Sequence, residues 1–412
     1  MINTLQSLRE EFARYIPSGE VEALSHVVMK GKGSTYTDTE GRKYLDFSCG
    51  IFTNSFGHGE PELSQELFEA FSKLGNIHGR HWIGELEVYR KLFSYLPEGD
   101  YRAVSYGSGG GYIIDRIETE LHYYFSKRKY RLAAFASGFH GKTQGTKLTV
   151  DRTHDSTFFF SDVIPDPDCL NCPCGQQRNI CRMQCADLAE QVMIQNNTDV
   201  LIFEPVIGSK VIIPPNGYLR RIVNFCHERE ILTVADEVLT AGGRLGEFFA
   251  SRMFSISPDV IAVTKGLANG MPMSIMFMKK ELTENQYSKR KGNYSSTFMN
   301  VPALMALTGA VLAKLERENI FLNVRQRSRE LLEGLGLLKE CYPVIRDVRG
   351  LGLMSAIEFA EDFGVFRAAE RNGLELIDSG NILRIGPPLN VSSEEIVVGL
   401  EKLKQSIEEA LK

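Results

Sequence analysis

Three apolar runs between residues 200 and 263 decide the fold: Val200-Leu201-Ile202-Phe203, Ile231-Leu232-Thr233-Val234-Ala235 and Val260-Ile261-Ala262-Val263. Each run has the length of a strand and is bounded by polar residues or turns. The segment Leu219 to Arg229, between the first two runs, carries apolar residues at helical spacing. Strands that are apolar on both faces and alternate with helices predict an α/β fold, with helices on both sides of a parallel sheet. In such sheets ligand chemistry collects at the carboxyl ends of the strands.

The regions outside these runs predict one more strand and a second, smaller domain. Arg131 to Ala136 is a further buried strand, whereas the C-terminal third has a different pattern. There, Val344 to Phe359 predicts a strand with a glycine-permitted bend, and Ile382 to Ile385 predicts a short strand. Ser392 caps a terminal amphipathic helix that runs toward Leu411. We therefore expect a large, mostly parallel-sheet domain and a smaller α+β domain, divided into an N-terminal segment 1–49 that joins the small domain, a large domain 50–301 and a C-terminal small domain 302–412.

Composition excludes several classes of protein. The 412 residues, 43% of them hydrophobic, are enough to bury a large core. With a net charge of −5 and no basic stripe, the chain is not expected to bind nucleic acid. The first residues lack a signal-peptide pattern, and the longest apolar runs are far shorter than the roughly 20 residues that cross a bilayer. A cytoplasmic protein without a membrane anchor is the expectation.

Five of the eight cysteines crowd into one segment. In a cytoplasmic protein they would be reduced thiols. A C-x-x-C pair can hold zinc, but this segment has no second, matched pair at a finger-like distance. We therefore expect no metal site here and interpret the segment as a surface excursion, with metal binding or redox sensing as the alternatives. The five are Cys169, Cys172, Cys174, Cys181 and Cys185.

An acidic residue and a lysine follow two successive predicted strands. Asp236 ends one strand, and Lys265 comes just after the next, so both should open onto one edge of the sheet. A lysine amine forms an imine with an aldehyde cofactor, and a carboxylate keeps a pyridine nitrogen protonated, which makes the ring an electron sink. The lysine can then carry a proton between carbon atoms. Taken singly, each residue has a simpler interpretation, a helix cap and a surface lysine.

Two glycine-bearing segments predict contacts to the same ligand. Ser108, Gly109 and Gly110 precede a helix, where backbone N–H groups and the helix N-terminus favour an anion such as phosphate. Phe139 and His140 follow the strand that ends at Ala136, so an aromatic ring and an imidazole reach the same sheet edge. Alone, the first segment is equally typical of a flexible turn, and the second of core packing.

The ordered set of motifs resembles the class III aminotransferases, a family of fold-type-I pyridoxal-phosphate enzymes. The resemblance runs from about Tyr36 to the C-terminal helix. Its most specific parts are the stretch from Asp236 to Gly246 and the pair Thr264-Lys265-Gly266. The other matching parts are Asp38 with Gly41 to Phe47, Gly57-His58, Ser108-Gly109, Phe139-His140-Gly141, Glu204-Pro205-Val206, Gly217-Tyr218-Leu219 and Thr297-Phe298.

The resemblance implies a role for each of these residues. Catalysis falls to Lys265, which would carry the Schiff base of pyridoxal 5'-phosphate, and to Asp236, which would pair with the pyridine nitrogen. Thr297 matches the threonine that reaches the phosphate in the neighbouring subunit, so a homodimer with shared active sites is implied. The remaining cofactor contacts are Ser108, Gly109, Gly110, Phe139, His140, Glu204 and Val238, and the substrate contacts are Phe52, Trp82 and Arg384, the last gripping a carboxylate.

Three departures from the family pattern concern the surroundings of Lys265. The phosphate loop usually reads N-S-G-T/S-E-A, whereas Gly110 and Gly111 here lack the hydroxyl and the carboxylate. Leu239 replaces the usual glutamine after the D-E-V triplet. Members that act on glutamate-like donors often carry a G-E-x-G segment whose glutamate pairs with the substrate-binding arginine; here the segment reads Gly208-Ser209-Lys210-Val211.

The resemblance implies ping-pong transfer of an amino group from an amino acid or primary amine to an oxo acceptor, through pyridoxamine phosphate. The glutamate of the G-E-x-G segment, which we call the acidic gate, is missing here. Two consequences are open: Arg384 is permanently available to a carboxylate, or Lys210 reshapes the pocket for an oxo-sugar or another polar carbonyl. Racemases, aminomutases and decarboxylases share the same machinery and remain alternatives. A catalytically silent metal-binding regulator is the alternative from another class.

Overall fold

The computed structural model describes residues 4–143, 145–146, 159–176, 181–286, 288–290 and 292–412. Within these ranges the strands are β1 (Val28–Lys32), β2 (Thr35–Asp38), β3 (Lys43–Asp46), β4 (Tyr101–Tyr106), β5 (Tyr130–Phe135), β6 (Phe159–Ile164), β7 (Val200–Phe203), β8 (Leu232–Asp236), β9 (Val260–Val263), β10 (Ser274–Lys279), β11 (Ile345–Leu351), β12 (Met354–Phe359), β13 (Leu374–Glu375), β14 (Ile377–Ser379) and β15 (Ile382–Ile385).

Helices separate most of these strands. No helix in the described ranges has both the length and the apolar character that a membrane crossing requires. The α-helices are Leu5–Phe12, Ser18–Glu22, Pro61–Lys73, Glu85–Tyr95, Gly110–Tyr124, Gln184–Gln195, Tyr218–Glu228, Ala250–Met253, Lys280–Thr283, Pro302–Arg317, Ile320–Cys341, Val365–Arg371 and Ser393–Ala410, and a short 3-10 turn covers Lys265–Leu267.

A seven-stranded sheet in the order β4-β10-β9-β8-β7-β5-β6 forms the centre of the fold. The ladders β9-β8-β7-β5-β6 are parallel, and β10 runs antiparallel to its neighbours β9 and β4. The three predicted runs are confirmed as the adjacent strands β7, β8 and β9. Every residue of β7 and β9 is buried, because helices cover both faces of the sheet. The adjacency aligns Phe203 with Ala235 and Asp236 with Ala262, so these strands end together.

Two four-stranded sheets flank the large one. The first has the order β1-β2-β3-β13, in which β13 pairs in parallel with β3 and so joins the N-terminal segment to the C-terminal third. The second has the order β11-β12-β15-β14 and is antiparallel. The prediction of one bent strand over residues 344–359 is wrong. Gly352, at φ +59°, reverses the chain, and the segment forms the antiparallel pair β11 and β12.

The C-terminal helix begins as the sequence predicts. The Ser392 hydroxyl accepts a hydrogen bond from the Glu395 amide at 3.2 Å, and the Glu395 carboxylate accepts one from the Ser392 amide at 2.8 Å. This reciprocal capping box satisfies two backbone donors at the helix start.

A left-handed turn at Cys49–Phe52 follows β3. Its four residues all have positive φ, from 49° at Cys49 to 65° at Phe52, in a region that costs L-residues free energy. The Asp46 carboxylate holds the start of the turn, because it accepts hydrogen bonds from the amides of Ser48 at 2.8 Å and Cys49 at 2.9 Å. Phe52 is buried against Gly386, where a Cβ would lie 2.0 Å from its ring. The chain thus forces a strained turn beside the end of β15.

Candidate active site

The residues that follow β5, β7, β8 and β9 meet at one edge of the large sheet. His140 lies beyond the end of β5, and Glu204 directly follows β7. Asp236 ends β8, and Lys265 lies two residues after β9. Since parallel strands end at a common edge, the fold brings these four side chains together, as the order of strands and polar residues predicted.

His140 and Asp236 form a buried pair. The Nδ1 atom of His140 lies 2.8 Å from Oδ2 of Asp236, and the Val238 amide donates to Oδ1 of Asp236 at 3.1 Å. Burial lowers the pKa of His140, but the hydrogen bond to Asp236 and its negative charge outweigh burial, so the pKa is raised. The Nε2 atom of His140 has no hydrogen-bond partner in the described part of the chain. The pair therefore presents a buried carboxylate that the His140 ring and the Val238 amide hold in one orientation.

Lys265 has the properties of a reactive amine. Its pKa is lowered from 10.5 to about 8, mainly by burial and also by the positive charge of Arg384. The carboxylates of Glu204 and Asp236 act in the opposite direction. At pH 7 this shift raises the neutral, nucleophilic fraction by roughly 300-fold over an ordinary lysine. Lys265 thus combines a partly desolvated amine with two nearby acids.

Glu204 is fully enclosed behind the edge. Burial raises its pKa to about 7, the charge of His140 lowers it, and the charge of Asp236 raises it. Its carboxylate accepts a hydrogen bond from the Gly208 amide at 2.7 Å. Glu204 therefore fixes the turn that starts at Gly208, a structural contact beside its electrostatic one.

Arg384 on β15 reaches the same region from the small antiparallel sheet. Its Nη1 atom donates to the Gly208 carbonyl at 3.1 Å, and its Nε atom is buried without a partner among the described residues. Burial lowers its pKa, while Glu204 raises it. No carboxylate of the described ranges forms an ion pair with Arg384, so its remaining donors are available to a ligand.

The glycine segment places a helix N-terminus at this edge. Gly109 is the N-cap of the helix Gly110–Tyr124 and makes no side-chain cap bond. A Cβ at Gly110 would lie 3.1 Å from Cγ1 of Val238, so the glycine lets the helix start approach the D-E-V segment. Ser108 pairs through its hydroxyl with that of Ser274 on β10, at 2.6 Å. Ser274 is a contact the sequence did not reveal.

A class III aminotransferase family model, described as "Aminotransferase class-III", matches residues 15–407. The chain belongs to this family.

Curated relatives of the family have the same extent as this chain. An acetylornithine aminotransferase of Clostridium acetobutylicum is 30% identical over 387 residues, which cover 92% of this chain and 95% of the relative. A leucine/methionine racemase of Thermococcus litoralis is 28% identical over 429 residues, covering 98% and 95% of the two chains.

Solved structures confirm the predicted fold, the fold-type-I architecture of class III aminotransferases. An aminotransferase of Bacillus anthracis has a TM-score of 0.89 at 25% identity, with 98% of both chains covered. An ω-transaminase of Pseudomonas jessenii in complex with PMP has a TM-score of 0.88 at 20% identity, also with 98% of both chains covered. This chain is therefore a pyridoxal-phosphate-dependent class III aminotransferase, as predicted.

The residues at the edge fit the family cofactor. An amine of lowered pKa suits an aldehyde, the His140–Asp236 pair suits a pyridinium nitrogen, and the uncapped helix start at Gly109 suits a phosphate. Phe139 is 44% exposed, which leaves its ring free to pack against a ligand. Gly110 and Gly111 replace the usual hydroxyl and carboxylate residues. The hydrogen-bond donors for a phosphate at this helix start are therefore the backbone amides and the Ser108 hydroxyl.

Glu237, the second acid of the D-E-V triplet, is structural. Its carboxylate accepts hydrogen bonds from the amides of Ala250 at 2.6 Å and Ser251 at 2.8 Å, and from the hydroxyls of Ser251 and Thr240. Burial raises its pKa, and these four donors lower it. Two adjacent acids thus face opposite sides of the strand end, as side chains in an extended segment do.

Two expected contacts lie apart from Lys265 within one chain. Trp82 lines a surface cavity of about 780 Å³ together with residues of the helices Pro61–Lys73, Glu85–Tyr95 and Pro302–Arg317. Thr297 is exposed, and its carbonyl accepts a hydrogen bond from the Asn76 side chain at 2.8 Å.

Proposed function

We propose that Lys265 is the imine-forming and proton-carrying residue, and that the amino donor carries a carboxylate that Arg384 binds. The observation that carries this proposal is the meeting of Lys265, Asp236 and Arg384 at one sheet edge. Asp236 is hydrogen-bonded to the His140 imidazole, whereas the Nε atom of Arg384 has no partner among the described residues.

Each residue has a distinct task in this reaction. Bound pyridoxal phosphate supplies an aldehyde that takes up amino groups and a ring that withdraws electrons from the substrate carbon. Asp236, held by His140, would pair with the ring nitrogen of the bound cofactor. Lys265, with its lowered pKa, accepts the proton from the substrate carbon and returns it to a neighbouring atom. The donors at Ser108 and at the helix start hold the phosphate.

Arg384 and the Gly208 turn favour a carboxylate substrate over an oxo-sugar. A guanidinium with free donors binds a carboxylate through two parallel hydrogen bonds. The Gly208 carbonyl fixes the guanidinium without neutralising it, since a carbonyl carries no formal charge. A glutamate paired with the arginine would have to be displaced before a substrate carboxylate binds. Arg384 has no such partner among the described residues and is available throughout the catalytic cycle.

A half-reaction tests the proposal. The holoenzyme is mixed with an amino acid and no acceptor, and the oxo acid is measured. We expect one oxo acid released per active site, followed by arrest, and resumption when pyruvate or 2-oxoglutarate is added. The inactive Lys265→Ala variant is the control. Continuous conversion of the amino acid without any oxo acid would contradict amino transfer.

A second candidate is racemisation, which the 28% identity to the Thermococcus litoralis leucine/methionine racemase favours. Racemisation removes the proton from the substrate carbon, returns a proton to the opposite face of that carbon, and releases no oxo acid. Chiral chromatography of each amino acid after incubation separates the two reactions. Accumulation of the opposite enantiomer at a rate above that of oxo acid release would favour the racemase.

We also propose a homodimer with shared sites. Its support is the exposed Thr297 and two large apolar side chains exposed on one helix. Phe68 and Phe71 on Pro61–Lys73 are 73% and 67% exposed, values typical of a covered interface rather than a free surface. Light scattering of the purified protein tests it, since a monomer mass would contradict the proposal.

The cellular location and the domain boundaries are proposals of the same kind. No cysteine of the described ranges is in a disulfide, which fits a reducing cytoplasm. The division into 1–49, 50–301 and 302–412 draws support from the β3–β13 pairing. Limited proteolysis that cuts near residues 49 and 301 would support these boundaries.

A further inference from the structure

A buried arginine lies near the active site and takes no part in the reaction described above. Arg244 is 3% exposed and belongs to the chain segment between β8 and the helix Ala250–Met253. None of the ion pairs among the described residues involves Arg244. A buried charge is costly unless polar groups surround it, so the groups around this guanidinium are expected to compensate its charge.

Two backbone carbonyls take the place of an acid. The Nη1 atom of Arg244 donates hydrogen bonds to the carbonyls of Pro387 at 2.5 Å and Leu353 at 3.2 Å. The Leu353 amide donates in turn to the Arg244 carbonyl at 2.9 Å, so these two residues are joined twice. Burial lowers the pKa of Arg244, and the Cys49 thiol raises it. Because an arginine side chain keeps its charge in proteins, backbone dipoles hold a cation here.

The aromatic ring of Phe52 lies against the same guanidinium. The Cζ atom of Arg244 is 5.3 Å from the centre of the ring, within the distance at which a cation and an aromatic face attract each other. Phe52 ends the left-handed turn Cys49–Phe52 and also packs against Gly386. Arg244 therefore stabilises the position of a ring that the family resemblance assigns to the substrate pocket.

The two carbonyls that Arg244 holds lie beside the strands that carry and flank Arg384. Pro387 follows Arg384 by three residues, just beyond the end of β15. Leu353 directly precedes β12, the strand in which Ala356 pairs with Arg384. One guanidinium thus joins the segment after β15, the hairpin before β12 and the Phe52 ring.

We propose that Arg244 is a positioning residue that fixes the direction of Arg384, a role that rests on the proposed binding of the substrate carboxylate by Arg384. A bidentate guanidinium–carboxylate pair depends on the orientation of both partners, so a small displacement of β15 weakens it. A primary amine without a carboxylate forms no such pair and is insensitive to the displacement. Lysine in place of Arg244 would keep the charge but lose the length and planar shape of the guanidinium.

Kinetics of single and double variants of the holoenzyme test the proposal, with an amino acid as donor. Arg244→Lys should lower kcat/KM for the amino acid about tenfold, the effect of one weakened charge-assisted hydrogen bond. The loss should arise in KM, with kcat little changed. In the Arg384→Gln background the same substitution should cause no further loss, because the contact that Arg244 orients is already gone. Arg325→Lys is the matched control and should keep wild-type kinetics, since Arg325 is an exposed arginine that donates to the Gly246 carbonyl at 2.6 Å.

The double variant separates positioning from a general structural role. Losses in Arg244→Lys and Arg384→Gln that multiply in the double variant would overturn the proposal, since independent effects add in free energy. An equal loss for a primary amine would overturn it as well. Wild-type kinetics in Arg244→Lys beside a selective loss in Arg384→Gln would overturn the positioning role alone, whereas the absence of a selective loss in Arg384→Gln would contradict the proposed function.

Folding of each variant is checked by pyridoxal phosphate content and circular dichroism. If Arg244→Lys does not fold, Arg244→Gln takes its place, because glutamine keeps a donor for a carbonyl without the charge. Failure of both variants to fold would make Arg244 a residue of the fold rather than of the pocket and would overturn the proposal.

Discussion

The edge of the large sheet and the surface segment Ser296–Asn300 differ in completeness. At the edge, Lys265 and Asp236 lie among charged neighbours of the same chain, and burial sets their chemistry. In the surface segment, Thr297 and Phe298 are exposed, the latter by 56% of its area. On our proposal, the residues that move the proton come from one chain, whereas the surface segment reaches the phosphate only in a dimer. Five experiments can break or sharpen this contrast.

The largest effect is expected at Lys265. Lys265→Ala removes both the imine-forming amine and the proton carrier, so kcat should fall by at least about 10³-fold. Steady-state turnover with an amino acid and 2-oxoglutarate measures the loss, and circular dichroism confirms the fold. Lys289→Ala, which removes a surface ion pair with Glu284, is the matched control and should keep full activity. Wild-type turnover in Lys265→Ala would refute the assignment of the edge.

Arg384→Gln should separate substrates by charge. The loss of two charge-assisted hydrogen bonds should lower kcat/KM for an amino acid by roughly 100-fold. For a primary amine without a carboxylate, kcat/KM should change little. Arg371→Gln, at an exposed pair with Glu409, is the control. Equal losses for both donors would mean that Arg384 acts on the fold rather than on the carboxylate.

Thr297→Ala tests the surface segment. Loss of one hydrogen bond to the phosphate should raise the Kd of pyridoxal phosphate about tenfold, with little change in melting temperature of the apoenzyme. Ser295→Ala, at the exposed residue directly before the segment, is the control.

Mixed dimers decide which chain Thr297 serves. When Lys265→Ala and Thr297→Ala chains are unfolded together and refolded, cofactor affinity should return to the wild-type value at the Lys265 site of each mixed dimer, since the phosphate contact there comes from an intact partner, whereas Thr297→Ala homodimers stay weak. Unchanged weak binding at those sites would place Thr297 in its own subunit's site.

The smallest effect is the pH dependence of Lys265. Its neutral amine is the nucleophile, so the rate at which the apoenzyme captures pyridoxal phosphate on Lys265 should rise with pH through about 8 and then level off. Between pH 7 and pH 9 the rise should be about tenfold. Reduction with borohydride and mass spectrometry of the Lys265 peptide measure it. Glu204→Gln should move the midpoint below that of the wild type, because the Glu204 carboxylate raises the pKa. A midpoint that moves upward would contradict this electrostatic account.

The continuous apolar strands and the residues after them could be predicted from the sequence. Strands β7 and β9 are buried along their whole length, so their apolar runs are unbroken and their ends are visible. Asp236 and Lys265 follow directly from those ends. The order of parallel strands then places both at one edge, without any knowledge of side-chain packing.

Contacts that depend on antiparallel pairing or on a buried turn could not be predicted. Ser274 contacts Ser108 because β10 pairs with β4, and no local sequence pattern predicts that pairing. The reversal at Gly352 is enclosed, with the Arg244 carbonyl 2.3 Å from a Cβ placed there, so it lacks the polar residues that usually mark a turn. A signal for Ser274 existed only in its position at the start of an apolar run.

The left-handed turn at Cys49–Phe52 depends on a contact that forms late during synthesis of the chain. Its strained backbone, at roughly 1–2 kcal/mol per residue, is held at one end by Asp46 and at the other by packing of Phe52 against Gly386. Gly386 leaves the ribosome 334 residues after Phe52, since 386 − 52 = 334. The contact between Phe52 and Gly386 therefore forms only after β15 has been synthesised, and a chain truncated before β15 lacks the packing that holds this end of the turn.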